Sequence, residues 1–247
     1  MLLDSGGRLV DSSPMYGLAE GVRGGLLTEM AARPRVFLAT KAWTTGRERG
    51  LEQMQRSAQL LRTQVIDLMQ IHNLVDWGTQ LATLCSMKAE GRIRLSGSPI
   101  TPLALCRNSR VLATEPGIDF VQLGYSLAAR EPETALLPAA AAHGIAVIIN
   151  QPFEQGNLFR RIRGQALPDW TREFDCASWT QLFLKYILAE PAVTCVIPAT
   201  NNPEHMKVDL GAWFGRLPNP QQRQKIRELW DASQLLDVCR VVKRATS

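Results

Sequence analysis

The chain has 247 residues, of which 45% are hydrophobic and 21% are charged, and its formal net charge is +5. This composition is typical of an ordinary globular protein, and the length suits a single α/β barrel. No apolar run approaches the roughly 18 residues that a membrane-spanning helix needs, so we expect no insertion into a membrane. The mild basic excess fits an anionic ligand such as a nucleotide. Because the basic residues are spread along the chain rather than interleaved with aromatic residues, we expect no nucleic-acid partner.

Short apolar runs rich in β-branched residues predict seven buried parallel strands. In chain order they are Arg8–Asp11, Val36–Lys41, Ile66–His72, Ile93–Gly97, Ile118–Gln122, Ile145–Asn150 and Val193–Pro198. Apolar residues at helical spacing predict helices between and after them, over Glu48–Leu61, Thr79–Met87, Trp179–Leu188 and Gln222–Leu236. Repeated alternation of strand and helix predicts a parallel sheet covered by helices, either doubly wound or closed into a barrel. No G-x-G-x-x-G follows the first strand, which counts against a Rossmann domain.

Polar side chains stand at the carboxyl ends of several predicted strands. They are Asp11, Lys41, His72, Gln122 and Asn150. In a barrel these strand ends open into one shared mouth, where barrel enzymes keep their active sites. Simpler roles also exist for the single residues: Asp11 as the cap of a helix beginning near Pro14, Tyr16 as a packed loop aromatic, Lys41 as a solvated strand end, and His72 as a buried structural histidine.

The cysteines are scattered, with no C-x-x-C pair. They are Cys85, Cys106, Cys176, Cys195 and Cys239. An odd, dispersed set argues against a disulfide framework and against a structural zinc site, so we expect no bound metal. It suits a reducing cytoplasm, and the first residues lack the basic and apolar regions of a secretory signal. We therefore expect a cytoplasmic protein. No linker rich in Gly, Ser or Pro divides the chain, so residues 1–247 are predicted to form one domain.

Four of these side chains could cooperate in acid catalysis if they share a pocket. A tyrosine such as Tyr16 has a pKa near 10 and is a weak but usable proton donor. An ammonium from Lys41 would lower that pKa, a carboxylate from Asp11 would hold the lysine, and His72 could hydrogen-bond a carbonyl oxygen. General acid catalysis of this kind contributes about 10²- to 10⁴-fold. The set supplies no hydride, so a reduced nicotinamide would be required.

At these residues the sequence resembles the aldo-keto reductase superfamily. The segment from Asp11 to Gly17 is similar to the family's D-[TS]-[AS]-x-x-Y-G, with aspartate and tyrosine at the family's spacing. The strands ending in Lys41 and His72 resemble those that carry the family's lysine and histidine. The resemblance implies that Tyr16 is the acid, that Lys41 and Asp11 are its tuning pair, and that His72 orients the substrate. It also implies a TIM-type (β/α)8 barrel that uses NADPH, with NADH possible, to reduce a small-molecule carbonyl compound.

The same resemblance implies a set of cofactor-binding residues. Those near the nicotinamide are Ser98, Gln122, Asn150, Pro152 and Phe153, followed by Gly156 and Leu158 in the next loop. Those near the adenosine phosphate are Pro198, Thr200, His205 and Asp209. Three positions depart from the family pattern. The Ser-Asn pair that holds the carboxamide is missing, or Ser98 survives from it if one residue was deleted. Asn150 stands where the family has a stacking tyrosine, and Val208-Asp209 replaces an acidic residue followed by asparagine.

The largest departure is at the start, where the family's N-terminal hairpin, first barrel strand and most of its first helix have no counterpart. Three explanations fit this departure: a misassigned start, a decayed gene fragment, or a partner chain that fills the gap. We therefore predict an aldehyde or ketone reductase. The alternative is a truncated, catalytically impaired relative that binds a cofactor or a partner. An aldolase using Lys41 for a Schiff base is the least favoured interpretation. The substrate and the oligomeric state are not indicated by the sequence.

Overall fold

The computed structural model of the chain describes residues 1–100 and 117–245, with the backbone alone for 99–100 and 234–245. Its strands are β1 (Leu9–Asp11), β2 (Phe37–Ala42), β3 (Ile66–Ile71), β4 (Ile93–Ile100), β5 (Phe120–Gly124), β6 (Ala146–Asn150) and β7 (Cys195–Val196). They form one sheet in the order of the sequence, and the pairs from β1 to β5 are parallel. Consecutive parallel strands in this order confirm the predicted barrel class. The outer edge of β1 carries no strand from the described part of the chain.

The helices lie between and after the strands. They are α1 (Ala19–Glu29), α2 (Arg47–Leu60), α3 (Trp77–Ala89), α4 (Leu136–Ala142), α5 (Asn157–Arg161), α6 (Trp179–Leu188), α7 (Pro203–Gly211) and α8 (Pro220–Ala245). The predicted helices match α2, α3, α6 and α8. The ends differ by at most two residues, except that α8 continues nine residues past the predicted end at Leu236. The prediction for β7 was too long, since only Cys195 and Val196 have strand geometry.

Helix α1 was not predicted, because its apolar residues face outward. Leu18, just before the helix, and Val22, Leu26 and Met30 along and after it are exposed. The inward face instead carries Glu20, Gly24 and Leu27. The carboxylate of Glu20 is buried and satisfied by hydroxyl groups, accepting from Thr40 at 2.6 Å and from Ser57 at 3.1 Å. These bonds tie α1 to β2 and α2.

The chain divides into two compact units. The first comprises Met1–Leu123 with Ala135–Ile148, and the second comprises Gly124–Thr134 with Ile149–Ser247. The first unit has its core on the buried side chains of the strands, with Leu38, Leu68 and Val121 fully buried. It holds Asp11, Tyr16, Lys41, His72, Ser98 and Gln122. The prediction of a single domain stays a prediction.

The second unit is held together by aromatic and ionic contacts around α6. The ring of Phe183 lies 5.5 Å from Phe159 and 6.0 Å from Trp230, measured between centroids. The carboxylate of Glu133 accepts hydrogen bonds from the hydroxyls of Tyr125 and Tyr186 and pairs with Arg223 and Arg227 of α8. We name these five residues the Glu133 cluster. It fixes α8 against the loop that contains Glu133.

No helix within residues 1–100 and 117–245 is long and apolar enough to cross a membrane. Across the same part of the chain, no group of three His, Cys, Asp or Glu side chains is arranged to hold a metal ion. Cys85, Cys176 and Cys195 have free thiols. Cys106 lies outside the described residues, and Cys239 is described by its backbone only.

Candidate active site

A buried ion pair lies where the first strands of the sheet end. The ammonium of Lys41, on β2, donates to the carboxylate of Asp11, on β1, at 2.6 Å. Two side-chain amides also donate to this carboxylate, Gln70 of β3 at 3.2 Å and Gln122 of β5 at 3.4 Å. The parallel register brings these residues together, because Lys41 pairs with Gln70 across β2 and β3. Sequence reasoning missed Gln70, although it lies two residues before His72 in the strand that was predicted over Ile66–His72, where alternate residues share a face.

The side chain of Lys41 is buried, so the interpretation of this residue as a solvated strand end is excluded. Its side chain is 2% exposed, and its Nζ donates to the backbone carbonyl of Ser12 at 2.8 Å as well as to Asp11. Burial lowers the pKa of Lys41, while the Asp11 carboxylate opposes that change. Both hydrogen bonds need an N–H donor, so this amine is poorly placed to be the free nucleophile of a Schiff base. The capping interpretation of Asp11 is also wrong, since the next helix begins at Ala19.

Tyr16 lies beside this pair at the surface. Its side chain is 50% exposed, so it is not a packed loop aromatic, and Lys41 Nζ lies 5.6 Å from its ring centroid. Burial raises the pKa of Tyr16, the Asp11 carboxylate raises it further, and Arg23 opposes the rise. Burial and Asp11 set this net direction, and the expectation that Lys41 lowers the pKa of Tyr16 stays a prediction.

His72 lies beyond the end of β3, partly buried, and its Nδ1 is 3.5 Å from the hydroxyl oxygen of Ser13. Burial lowers the pKa of His72, Lys41 lowers it further, and Asp11 opposes the change. The imidazole is therefore neutral at neutral pH. The centroid of the Trp43 indole lies 6.4 Å from that of the imidazole. The backbone N–H of Trp43 donates at 2.6 Å to the side-chain oxygen of Gln53. Sequence reasoning missed Trp43, for which an aromatic residue directly after β2 was the available signal.

Two of the predicted nicotinamide contacts belong to the first unit. Ser98 on β4 is buried, and its hydroxyl donates to the carbonyl of Ile71 at 3.4 Å. Gln122 is 2% exposed, and its amide nitrogen points to Asp11. Within the described part of the chain, its amide oxygen Oε1 is buried without a hydrogen-bond partner. A buried carbonyl oxygen without a donor costs free energy, so this atom is suited to accept from a bound group.

The other predicted nicotinamide contacts belong to the second unit. Pro152 and Leu158 are buried, and Phe153 packs on Phe159 with 5.0 Å between ring centroids. Gly156 has a positive φ of 89°, which permits the turn into α5. The side-chain oxygen of Asn150 lies beside Gly124, 3.5 Å from the position that a Cβ there would take. These residues thus cluster at the end of β6 and in the loop after it.

The segment predicted to lie along the adenosine phosphate leads into helix α7. Pro198 and Thr200 are partly exposed, and the Thr200 hydroxyl accepts from the backbone N–H of Asn202 at 3.1 Å. Helix N-termini favour anions, so the position of this segment is compatible with a phosphate. His205 on α7 is exposed. Asp209, one turn later, is only 7% exposed, and its burial raises its pKa to about 6, with His205 opposing the rise.

Comparisons with known proteins agree on one family. Residues 1–231 match the Aldo/keto reductase family. The chain is 29% identical over 189 residues to the aldo-keto reductase YhdN of Bacillus subtilis (strain 168), covering 70% of this chain and 55% of that protein. It is 24% identical over 230 residues to the 9,11-endoperoxide prostaglandin H2 reductase of Trypanosoma cruzi (strain CL Brener), covering 90% of this chain and 78% of that protein. The match thus spans about half the length of the first relative.

Solved structures share the fold. The holo form of aldo-keto reductase AKR11C1 from Bacillus halodurans superposes with a TM-score of 0.78 at 23% identity, covering 92% of this chain and 84% of that one. An aldo/keto reductase from Klebsiella pneumoniae in complex with NADP and acetate gives 0.77 at 23% identity, covering 92% and 81%. Together with the match over residues 1–231, these findings establish that the chain belongs to the aldo/keto reductase family.

Proposed function

We propose that the protein reduces an aldehyde or ketone to an alcohol, using NADPH as the preferred cofactor, with NADH possible. The observation that carries the proposal is the buried Lys41–Asp11 pair, whose ammonium lies 5.6 Å from the ring centroid of Tyr16. Family membership supports carbonyl reduction in general, and the Klebsiella pneumoniae relative binds NADP. The assignment of Tyr16 as the acid is our own.

The residues present fit a nicotinamide cofactor at two places. The buried Oε1 of Gln122, which has no hydrogen-bond partner among the described residues, can accept from a carboxamide N–H. The amide nitrogen of Gln122 donates to Asp11, which orients the side chain. The positive end of the α7 helix dipole lies at the start of this helix and favours an anionic phosphate. When bound, the reduced nicotinamide supplies the hydride that adds to the carbonyl carbon.

The chain's own residues would deliver the proton. Because its pKa is raised, the Tyr16 hydroxyl is protonated at neutral pH, the state that a general acid requires. When the proton passes to the carbonyl oxygen, Lys41 stabilises the phenolate that remains. The neutral His72 can hydrogen-bond the same oxygen and hold the carbonyl in line with the hydride. The half-exposed ring of Trp43 would form one wall of the substrate site.

The test is consumption of NADPH by the purified chain with a panel of aldehydes, ketones and quinones. We expect Tyr16→Phe to lower kcat by at least about 10²-fold, since it removes the proton donor and keeps the ring. His72→Asn should also lower kcat/KM, whereas His143→Asn, at an exposed histidine of the same chain, should leave it unchanged. Turnover that is equal in the Tyr16→Phe variant would contradict the proposal.

A second candidate function is a module that binds cofactor or a partner without turnover. It is favoured by the raised pKa of Tyr16, which disfavours the phenolate that proton transfer leaves behind. In that case NADPH would bind, seen as a change in its fluorescence, and no substrate of the panel would consume it. Any alcohol formed at a rate that depends on Tyr16 would exclude this alternative.

A further inference from the structure

Ser13 lies in the sequence between two proposed catalytic residues, Asp11 and Tyr16. Its hydroxyl is buried, and none of the proposed steps uses it. It is 0% exposed. Its oxygen accepts a hydrogen bond from the backbone N–H of Met15 at 3.3 Å. The same oxygen lies 3.5 Å from Nδ1 of His72, at the long end of the hydrogen-bond range. Ser13 therefore has one donor and one imidazole nitrogen as its polar neighbours.

Hydrogen-bond accounting decides the direction of the Ser13–His72 contact. A serine hydroxyl carries one proton and two lone pairs, and the Met15 N–H occupies one lone pair. A buried hydroxyl needs an acceptor for its proton. Within the described part of the chain, Nδ1 of His72 is the one acceptor in contact with this hydroxyl. The serine proton must then point to Nδ1, which can accept it only if that nitrogen carries no hydrogen.

The position of the imidazole hydrogen follows from the neutral state of His72. A neutral imidazole has one N–H, and which nitrogen carries it is set by the partner of the other nitrogen. Since Nδ1 accepts from Ser13, the hydrogen resides on Nε2. An N–H at Nε2 is what the proposed function needs, because a carbonyl oxygen must be met by a donor. The opposite tautomer would present a lone pair to that oxygen and repel it.

We propose that Ser13 is a positioning residue that holds His72 in the Nε2–H tautomer and so presents a hydrogen-bond donor to the substrate carbonyl. The role at the carbonyl depends on the proposed reductase function, while the tautomer itself does not. Ser13 acts through His72 and touches neither substrate nor cofactor in this account.

Another histidine of the chain, His143, provides a reference for the opposite tautomer. Nδ1 of His143 lies 2.9 Å from the carbonyl oxygen of Ala139. A carbonyl only accepts, so this nitrogen must carry a hydrogen. The sequence has three histidines, and His205 is the third. Three ¹⁵N-labelled side chains are few enough to assign with His143→Asn and His205→Asn variants.

The test is two-dimensional NMR of the ¹⁵N-histidine-labelled chain at a pH above 7.5. We expect His72 to show a protonated Nε2 and an unprotonated Nδ1, and His143 to show a protonated Nδ1. In Ser13→Ala the Nδ1–H form of His72 should become populated, and Ser13→Thr, which keeps a hydroxyl, should restore the single tautomer. For turnover, we expect kcat in Ser13→Ala to fall about three- to tenfold, the worth of one hydrogen bond, with KM changed less.

Two results would overturn the proposal. One is a His72 with its hydrogen on Nδ1 in the unchanged chain. The other is a His72 tautomer that is identical in the unchanged chain and in Ser13→Ala, with the dispersed spectrum of a folded protein showing that the variant is intact. Neither result depends on turnover, so a chain that reduces nothing would refute the proposed function and still decide the role of Ser13.

Discussion

Replacing Asp209 by asparagine should stabilise the protein, and the gain should depend on pH. The carboxyl of Asp209 is 7% exposed, and its burial raises its pKa from 3.8 to about 6. Each pKa unit corresponds to about 1.4 kcal/mol, so the ionised carboxylate destabilises the folded state by at most about 3 kcal/mol. Asparagine is nearly isosteric and has no charge to desolvate. It also restores the residue type that the family pattern has at this position.

The direction in which the stability changes with pH follows from proton linkage. The folded state holds the Asp209 proton up to about pH 6, whereas the unfolded state loses it near pH 3.8. Between these values the folded state binds more protons, so stability falls as the pH rises, and the full penalty is present above the folded-state pKa. We expect Asp209→Asn to raise the free energy of unfolding by about 1–3 kcal/mol at pH 8 and to change it little near pH 4.

Urea unfolding of both proteins at pH 8 and near pH 4 measures this difference. Asp169→Asn serves as the matched control, because the Asp169 side chain is 92% exposed and should give no gain at either pH. The same titration at pH 8 with NADPH present tests the link to the cofactor. Removal of an anion from the region predicted to lie near the adenosine phosphate should tighten NADPH binding. Equal stability of the two proteins at pH 8, or a gain that is the same at both pH values, would refute the reasoning.

Two further predictions concern packing and ion pairs. A Cβ added to Gly24 would lie 2.1 Å from the carbonyl oxygen of Leu60, so Gly24→Ala should lower the free energy of unfolding, measured in urea, by about 1–3 kcal/mol. Gly25→Ala has open space and should raise this free energy by up to about 1 kcal/mol. Equal effects would contradict the close contact of α1 with the end of α2. Glu133→Gln breaks the Glu133 cluster and should cost about 3–5 kcal/mol, while Glu131→Gln at an exposed position should cost little. A neutral Glu133→Gln would show that the cluster does not hold α8.

The strands were predictable because each is a short apolar run with a polar residue at its carboxyl end. That rule placed Asp11, Lys41 and Gln122 correctly in contact, since parallel strands in sequence order bring their ends to one side. It could not identify Gln70, because a glutamine inside a buried run looks like an interruption until its amide is seen to bind Asp11. Nor could it give the direction of the Tyr16 pKa, which depends on the burial of the ring and on the nearby Asp11 carboxylate.

Helix α1 and the burial of Asp209 escaped prediction for a common reason. In both helices, α1 and α7, a carboxylate is buried and apolar side chains are exposed, which is the reverse of the usual distribution. The outer face of α1 carries Leu18, Val22 and Leu26, while its inner face buries Glu20. In α7 the carboxylate of Asp209 is buried although the two residues before it, Lys207 and Val208, are exposed. Burial of a charged group is set by the surrounding fold rather than by the local pattern, and so it becomes visible only in the structure.

The most direct test of the central claim follows the hydride and the proton in one experiment. The purified chain is given an aldehyde and NADPH that carries deuterium at the transferred position of the nicotinamide, and the alcohol is analysed by mass spectrometry. We expect the unchanged chain to form an alcohol with deuterium on its carbinol carbon. In Tyr16→Phe the rate of formation of this alcohol should be lower by at least about 10²-fold. An alcohol without deuterium, or one formed equally fast by Tyr16→Phe, would contradict the central claim.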